Sequence, residues 1–445
     1  MSTPSSAAAQ DLEQALAALT ALHPKKIDLG LGRVLDVLAK LGNPQHLLPP
    51  AVHVAGTNGK GSTIAMLRAM AEADELKVHV YTSPHLVRFN ERIVVASQEI
   101  DDATLLDVIT RVRAANDGAP LSFFEATTAA MFLAFSEAPA DLAIIEVGLG
   151  GRFDATNVFD PAICGIAPVD YDHAEFLGRD LAGIAREKAG IIKDHVPVYI
   201  GKQGELVNAV MDAEAQKHRA PIQFQDQDFK TYGQHGRLVY ESSQTLLDLP
   251  LPALIGEHQI SNAGLSIALA RHMKISDKAI ANGLKNAKWP ARMQRLTQGP
   301  YADMVTESGG ELWLDGGHNP HAARAVASAM AELESVTSRP LILITGILAN
   351  KDIGGFLDAY EGLASAVIGV SIDGHAALAP ETLIEIAEAR GLIGQVANNL
   401  ADAVQRAINT GEALSRQTTD QPIIPPRILI CGSLYLSGEV LKVSA

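Results

Sequence analysis

Short apolar runs alternate with helical patterns along most of this 445-residue chain. The run "AVHVAG" at 51–56 precedes the helical pattern "STIAMLRAMAEAD", and "LWLDGG" at 312–317 precedes "AARAVASAMAELE". Apolar runs bounded by turn residues predict buried strands, and apolar residues every three or four positions predict amphipathic helices. Strands that alternate with helices indicate parallel sheets covered on both faces, so we predict an α/β fold. The other predicted strands lie at 78–83, 142–148, 162–169, 341–348, 366–372 and 427–433.

The alternation is interrupted near 220–257, where short polar strands and turns predict a small antiparallel addition. A second strand–helix series begins near residue 300, after the turn-forming pair Gly299-Pro300. We therefore predict a P-loop-type parallel-sheet domain over 1–297, which includes the antiparallel addition. A smaller, Rossmann-like α/β domain is predicted over 298–445.

Composition excludes several classes of partner. The formal charge of −15 argues against a nucleic-acid or anionic-membrane surface, although it allows a small cationic pocket. The N-terminus has no signal-peptide pattern, and no apolar run reaches the roughly 18 residues of a membrane span. Cys164 and Cys431 lie in apolar runs and are too few for a disulfide framework, which indicates buried thiols. We expect a cytoplasmic protein that binds neither nucleic acid nor membrane.

The stretch "VAGTNGKGST" at 54–63 joins a predicted strand to a predicted helix and resembles a phosphate-binding loop. Its glycines let the backbone approach a phosphate, the amides of the helix start attract an anion, and Lys60 can reach the terminal phosphates. The spacing differs from G-x-x-x-x-G-K-[ST], because Val54 occupies the first glycine position and Gly61 follows the lysine. The predicted ATP contacts in this loop are Gly56, Thr57, Asn58, Gly59, Lys60, Gly61 and Ser62.

Glu146 ends the apolar strand of "IIEVGLGGRFDATNVF", so its carboxylate should emerge at the same sheet edge as the glycine loop. A carboxylate there is well placed to hold the Mg²⁺ of MgATP, and a structural salt bridge is the alternative. Further along this segment, Arg152 and Asp154 either point into a cleft or pair with each other. In "FFEATT", Glu125 lies at a helix start, where capping alone would also explain it.

The altered loop spacing resembles the Mur ligase superfamily of ATP-dependent, amide-forming ligases. "HVAGTNGKGST" is similar to its folylpolyglutamate synthase and dihydrofolate synthase branch. The resemblance runs from about residue 26 to residue 440. Gly32, Ala291 and Gly317 depart from the residues usual in the branch. The other segments that carry the resemblance are "KIDLGLGR", "SPHLVRFNERI", "FFEATT", "EVGLGGRFDATN", "DHAEFLG", "EKAGIIK", "GEHQISNA", "WPARM", "DGGHNPH" and "GSLYLSGE".

The resemblance implies a set of site residues. Two Mg²⁺ ions would be bound by Ser83, Glu146, His173 and Lys188, with Lys188 carried as a carbamate. On the residues alone, His173 would more often be an ordinary surface or core histidine. The implied catalytic residues are Lys60, His173, Lys188 and His318. Further ATP contacts would come from Asn262, Arg292 and Asp315, and the glutamate side would hold His318 and Ser433. The implied folate contacts are Asp28, Leu29, Gly30, Ser122, Phe123, Phe124, Glu125, Phe153, Asp154 and Ala155.

The resemblance also implies the reaction. ATP converts a folate carboxylate into an acyl phosphate, and the amine of L-glutamate displaces phosphate. The first expectation is a monomeric, bifunctional ligase acting on dihydropteroate and on reduced folates. The alternatives are folylpolyglutamate synthesis alone, a cell-wall Mur ligase, a P-loop kinase or GTPase, and a non-catalytic nucleotide-binding module. The short N-terminus argues against a cell-wall ligase, because it leaves no separate domain for a UDP-sugar.

Overall fold

A computed structural model describes residues 7–22, 30–418 and 423–444. The chain forms two compact units. The first runs to Ala253 and resumes at Ile260–Lys288, and the second comprises Leu254–Gln259 and the chain from Trp289 onward. In the described part of the chain, no helix is both long and apolar enough to cross a membrane.

The first unit contains a mixed sheet with helices packed against it. The strands of the unit, which form this sheet and a smaller one, are Ala51–Ala55 (β1), Val78–Tyr81 (β2), Ile93–Val95 (β3), Gln98–Glu99 (β4), Leu142–Glu146 (β5), Ile163–Ile166 (β6), Val198–Ile200 (β7), Ile222–Phe224 (β8), Phe229–Gln234 (β9), Arg237–Ser242 (β10) and Thr245–Pro250 (β11). Its helices are Ala7–Leu22 (α1), Gly32–Lys40 (α2), Lys60–Ala73 (α3), Asp102–Asn116 (α4), Phe123–Ser136 (α5), Ala174–Leu177 (α6), Leu181–Ala189 (α7), Glu205–Lys217 (α8) and Asp277–Asn286 (α10). Helix α9, Glu257–His272, begins in the segment assigned to the second unit.

The large sheet has the strand order β4-β3-β2-β5-β1-β6-β7-β8. From β2 to β8 neighbouring strands are parallel, whereas β3 and β4 are antiparallel additions at one edge. All residues of β1, β2, β5 and β6 are buried, as expected for central strands covered on both faces. The carboxyl ends of these four neighbouring strands therefore meet at one edge of the sheet.

The predicted antiparallel addition is confirmed as a separate sheet with the order β11-β10-β9. Strand β8, at the start of the same region, instead pairs in parallel with β7 and extends the large sheet. Periodicity did not identify β7 and β8, because strands this short carry too few positions to show a pattern.

The second unit has a six-stranded sheet with the order β12-β13-β17-β14-β15-β16, in which only β12 runs antiparallel to its neighbour. The predicted α/β class is confirmed in both units. The strands are Gln294–Leu296 (β12), Glu311–Leu314 (β13), Leu341–Thr345 (β14), Ala364–Gly369 (β15), Ile393–Val396 (β16) and Arg427–Cys431 (β17). The helices are Pro300–Glu307 (α11), Pro320–Val336 (α12), Ile353–Asp358 (α13), Pro380–Glu388 (α14), Leu400–Thr418 (α15) and Leu434–Ser444 (α16).

A buried arginine stabilises the second unit. Only 2% of the Arg427 side chain is exposed, and its guanidinium lies 3.1 Å from a Glu311 oxygen and 3.3 Å from a Glu334 oxygen. It also donates to the carbonyl of Thr337 at 3.1 Å. A charge this deeply buried is tolerated because each side of the guanidinium faces an acceptor.

We expect Arg427→Met to lower the free energy of unfolding of the second unit by roughly 3–5 kcal/mol, because two carboxylates lose their shared cation. Both tryptophans of the chain, Trp289 and Trp313, belong to this unit. Urea unfolding followed by tryptophan fluorescence therefore measures the effect directly.

Arg416→Met is the matched control. Arg416 pairs with Glu412 one helical turn away at 3.4 Å, and 63% of its side chain is exposed. Such a pair contributes less than about 1 kcal/mol. Equal effects of the two substitutions would contradict the assigned role of Arg427.

Candidate active site

The glycine loop connects β1 directly to α3. Gly56 has φ +146° and Gly59 has φ +83°, both in the region that favours glycine. A Cβ on Gly59 would lie 2.5 Å from Oδ1 of Asn262, a buried residue of α9. The loop therefore requires glycine at Gly59 for two reasons, backbone conformation and the close approach of Asn262.

The segment that follows β6 holds the loop in place. The backbone amide of Thr57 donates to the carbonyl of Pro168 at 2.8 Å. Its hydroxyl donates to the carbonyl of Asp170 at 2.8 Å and accepts from the Asp170 amide at 3.0 Å. Thr57 thus serves the fold of the loop as well as its predicted role in binding ATP.

Lys60 lies at the first position of α3. Its Nζ donates to the carbonyls of Gly56 at 3.1 Å and Thr57 at 3.3 Å, and lies 3.9 Å from a Glu146 oxygen. The ammonium group is therefore held beside the loop amides at a helix N-terminus, where an anion is favoured. This arrangement suits a nucleotide phosphate.

Glu146 and Ser83 meet because β5 and β2 are parallel neighbours that end at the same sheet edge. The Ser83 amide donates to Oε2 of Glu146 at 2.9 Å, and Glu146 is 4% exposed. A carboxylate and a serine hydroxyl at one edge are oxygen ligands of the kind that Mg²⁺ prefers.

Lys188 is buried in α7, and its Nζ donates to the same Gly56 carbonyl at 3.0 Å. Burial lowers the pKa of this amine to about 7, and the nearby charge of Lys60 acts in the same direction. Asp172 and Asp154 oppose the shift. A large fraction of the Lys188 amine is therefore neutral near pH 7.

His173 is the N-cap residue of helix α6 and has a left-handed backbone, φ +52°. Its amide donates to Asp172 at 2.7 Å, and its ring nitrogen Nε2 lies 3.9 Å from the other oxygen of that carboxylate. Within the described ranges, no three His, Cys, Asp or Glu side chains form a metal-binding group. A metal beside Glu146 would therefore also need ligands of other types, such as a hydroxyl, a modified lysine or nucleotide oxygens.

The predicted folate residue Glu125 is buried and already has partners. It forms a capping box with Ser122, at 2.7 Å and 3.2 Å, as the helix-start position allowed. Its carboxylate also accepts a hydrogen bond from Arg33 of α2, whose Nε lies 3.1 Å from both oxygens. Arg33 lies within the quoted "GLGR" segment, but no periodicity signals a partner 92 residues away.

Two aromatic rings from the start of α5 lie near the ends of the central strands. The rings of Phe124 and Tyr81 are 6.2 Å apart, and Phe123 meets Phe89 edge to face at 5.8 Å. A Cβ on Gly148 would lie 2.8 Å from Cε1 of Phe124, so this glycine makes room for the ring.

Asp154 folds back onto its own loop. Its carboxylate accepts from the amide of Leu149 at 2.8 Å and from the amide of Thr156 at 3.0 Å, and burial raises its pKa. Arg152 does not pair with Asp154, since its guanidinium lies 3.5 Å from Glu214.

The remaining predicted folate residues have different settings. Phe153 is 44% exposed and Ala155 is buried. Gly30 is the residue just before the turn into α2. Asp28 and Leu29 lie outside the described residues.

In the second unit, β13 and β17 are parallel neighbours, so the segments that follow them lie together. Asp315 is buried and accepts from the amides of Met293 and Gly317 at 2.8 Å and 2.7 Å. His318 Nδ1 lies 3.0 Å from the Gly316 carbonyl, which can only accept. Nδ1 therefore carries a hydrogen and donates it to this carbonyl.

Two further predicted residues complete this edge. Ser433 is buried, and its hydroxyl accepts from the amide of Tyr435 at 3.1 Å. The guanidinium of Arg292 donates to the Ala291 carbonyl at 2.8 Å. The two units thus each present a group of predicted site residues at the carboxyl ends of parallel strands.

Comparison with known proteins identifies the class. The model of the Mur ligase middle domain matches residues 54–270, and that of the Mur ligase glutamate ligase domain matches residues 292–418. The chain is a member of the Mur ligase family. Within it, the chain belongs to the dihydrofolate synthase/folylpolyglutamate synthase family.

The second assignment rests on near full-length similarity. The dihydrofolate synthase/folylpolyglutamate synthase of Escherichia coli K12 is 32% identical over 440 residues, which cover 98% of this chain and 96% of that protein. The E. coli FolC structure in complex with DHPP and ADP matches with a TM-score of 0.86 and 31% identity, over 99% of both chains. The Yersinia pestis bifunctional enzyme, complexed with AMPPNP and Mn ion, has a TM-score of 0.82 and 28% identity, over 99% of both chains.

We expect Gly59→Ala to weaken MgATP binding by about tenfold or more, because a methyl group there meets Asn262 and strains a left-handed backbone. Isothermal titration calorimetry with MgATP measures the change. Gly118→Ala is the control: Gly118 also has positive φ, +72°, but no atom lies within 4 Å of its Cβ position. Unchanged ATP affinity in Gly59→Ala would contradict the assignment of this loop.

Proposed function

We propose that this protein is an ATP-dependent ligase that joins L-glutamate to dihydropteroate and to the glutamyl chain of reduced folates. The observation that carries the proposal is the group around the Gly56 carbonyl, where Lys60, Lys188 and Glu146 surround a phosphate-type loop. The kinship with dihydrofolate synthase/folylpolyglutamate synthases supports the folate substrates, and the glutamate ligase domain supports glutamate.

The proposed reaction is the two-step one that kinship with the folate ligases implies. An oxygen of the folate carboxylate attacks the γ-phosphorus of ATP, ADP leaves, and an acyl phosphate forms. The glutamate amine then attacks the acyl carbon, loses a proton, and phosphate leaves. Lys60 and the loop amides stabilise negative charge on the transferring phosphoryl group.

We propose two sites for divalent cations. Glu146 and Ser83 would hold the first ion, and His173 and carbamylated Lys188 would hold the second. Bound Mg²⁺ would neutralise charge on the nucleotide phosphates. The oxygen donors of Glu146 and Ser83 fit such a hard cation. The low pKa of Lys188 supports its predicted carbamate, because only a neutral amine adds to carbon dioxide.

The other residue roles complete the proposal. The nucleotide contacts would extend to Asn262, Arg292 and Asp315, and His318 would face the glutamate side together with Ser433. We propose domain bounds of 1–297 and 298–445, whereas the compact units divide a few residues earlier, at Trp289, and the second unit also includes Leu254–Gln259. We also propose a cytoplasmic monomer, and the two free, buried cysteines support a reducing compartment.

The first test is phosphate release from MgATP with L-glutamate, with dihydropteroate or tetrahydrofolate as acceptor and products identified by mass. We expect turnover with both acceptors. We expect Lys60→Ala to lower kcat by at least about a hundredfold, because charge on the phosphoryl group loses its cation. Lys285→Ala, on the exposed side of α10, is the control and should retain full turnover.

The outcomes separate the alternatives. Turnover with tetrahydrofolate alone would reduce the function to polyglutamylation. No turnover with either acceptor, in protein that binds ATP, would refute the folate assignment. Full activity of Lys60→Ala would refute the role of that lysine.

The carbamate gives a separate prediction. We expect Lys188→Ala to lose turnover and to recover part of it in the presence of a small carboxylic acid such as acetate, which supplies the missing anion. Lys188→Arg keeps a cation but cannot form a carbamate, so it should stay inactive. Full activity of the arginine variant would show that a positive charge, and not a carbamate, is required at this position.

A further inference from the structure

A buried chain of hydrogen bonds joins β1 to the loop that carries the proposed folate residues. His53 lies in the middle of β1 and is fully buried. Its Nε2 is 2.9 Å from the hydroxyl of Thr156, and that hydroxyl is 2.5 Å from Oδ1 of Asp154. Thr156 is also fully buried, and Asp154 is 3% exposed.

The direction of these hydrogen bonds follows from their donors. The Asp154 carboxylate accepts from the backbone amides of Leu149 and Thr156 and also takes the hydroxyl hydrogen of Thr156. A hydroxyl has one hydrogen, so Thr156 must accept from His53. The ring of His53 therefore carries its hydrogen on Nε2.

The other ring nitrogen agrees with this tautomer. Nδ1 of His53 is buried and has no hydrogen-bond partner in the described part of the chain. A protonated nitrogen left in this way would be costly, whereas a bare lone pair is tolerated more easily. Burial, together with the charge of Lys193, lowers the pKa of His53 to about 3, so the ring is neutral at physiological pH.

We infer that His53 is a positioning residue for the folate site: through Thr156 it holds Asp154, and with it Phe153 and Ala155, in the conformation that receives the folate substrate. The inference rests on the proposed function. The side chain of His53 is fully buried, so it would touch no substrate.

The loop that carries Asp154 needs this support because its glycines allow many backbone conformations. Gly148, Gly150 and Gly151 precede Asp154, and Gly150 has φ +70°. Glycine-rich segments have many conformations to lose, so affinity depends on contacts that fix the loop before the ligand arrives. The hydroxyl of Thr156, oriented by His53, is one of the donors that fix Asp154.

The test compares two pairs of substitutions. His53→Gln keeps an N–H near the position of Nε2, and His53→Leu removes it. Thr156→Ser keeps the hydroxyl, and Thr156→Val removes it. We expect the leucine and valine variants to raise the KM for dihydropteroate about tenfold, with the KM for ATP unchanged, whereas the glutamine and serine variants stay near wild type.

Direct titration of dihydropteroate into each variant, with MgATP present, gives a readout that does not depend on turnover. We expect the same pattern in the dissociation constants. Loss of folded protein lowers only the number of binding sites and leaves both KM values unchanged, so that result would make the network purely structural and overturn the inference. If His53→Leu does not fold, the serine and valine variants of Thr156 decide the matter in the same way.

The two proposals fail differently. Wild-type protein that binds ATP but not dihydropteroate would refute the proposed function, and this inference with it. Wild-type protein that binds dihydropteroate, with all four variants equal to it, would overturn the role of His53 alone.

Discussion

The amino groups of two lysines meet at one backbone carbonyl, that of Gly56. Lys60 donates to it at 3.1 Å and Lys188 at 3.0 Å. Like charges this close repel each other, and the pKa of the buried Lys188 falls to about 7 as burial and the Lys60 charge combine. The acidic groups nearby therefore offset the positive charge of these two lysines. The nucleotide phosphates and a carbamate on Lys188 would add further negative charge.

The strand order of the large sheet brings these groups together. Because β2, β5, β1 and β6 are parallel neighbours, Ser83, Glu146, the glycine loop and Asp172 all follow strands that end at one edge. Four separate segments of the chain meet at that edge, and the most distant of them lie about 120 residues apart in the sequence. The second unit repeats the principle with Asp315 and Ser433, which follow the neighbouring strands β13 and β17.

Buried side chains hold the loops of the first unit in one conformation before a ligand binds. Glycines at the loop positions give the backbone freedom to approach a ligand, and buried side chains then remove that freedom. Thr57 fixes the phosphate loop, and Arg33 fixes Glu125 at the start of α5. Asp154 fixes the loop after β5 by accepting from its amides, and Thr156, which bonds to His53, supports it. In each case a polar side chain satisfies backbone or carboxylate groups that would otherwise be buried without partners.

The sequence by itself determined the α/β class, the order of the central strands along the chain and the family, because apolar periodicity and glycine spacing are local patterns. The same patterns predicted Lys60 and Glu146 as site residues, because Lys60 follows a glycine loop at a helix start and Glu146 ends a recognisable strand. Only the tertiary structure decided which groups meet. The pairing of Arg33 with Glu125, the two lysines at one carbonyl and the hydrogen bond from His53 to Thr156 join residues far apart in the chain. Such contacts depend on strand order and on burial, and neither leaves a periodic signal in the sequence.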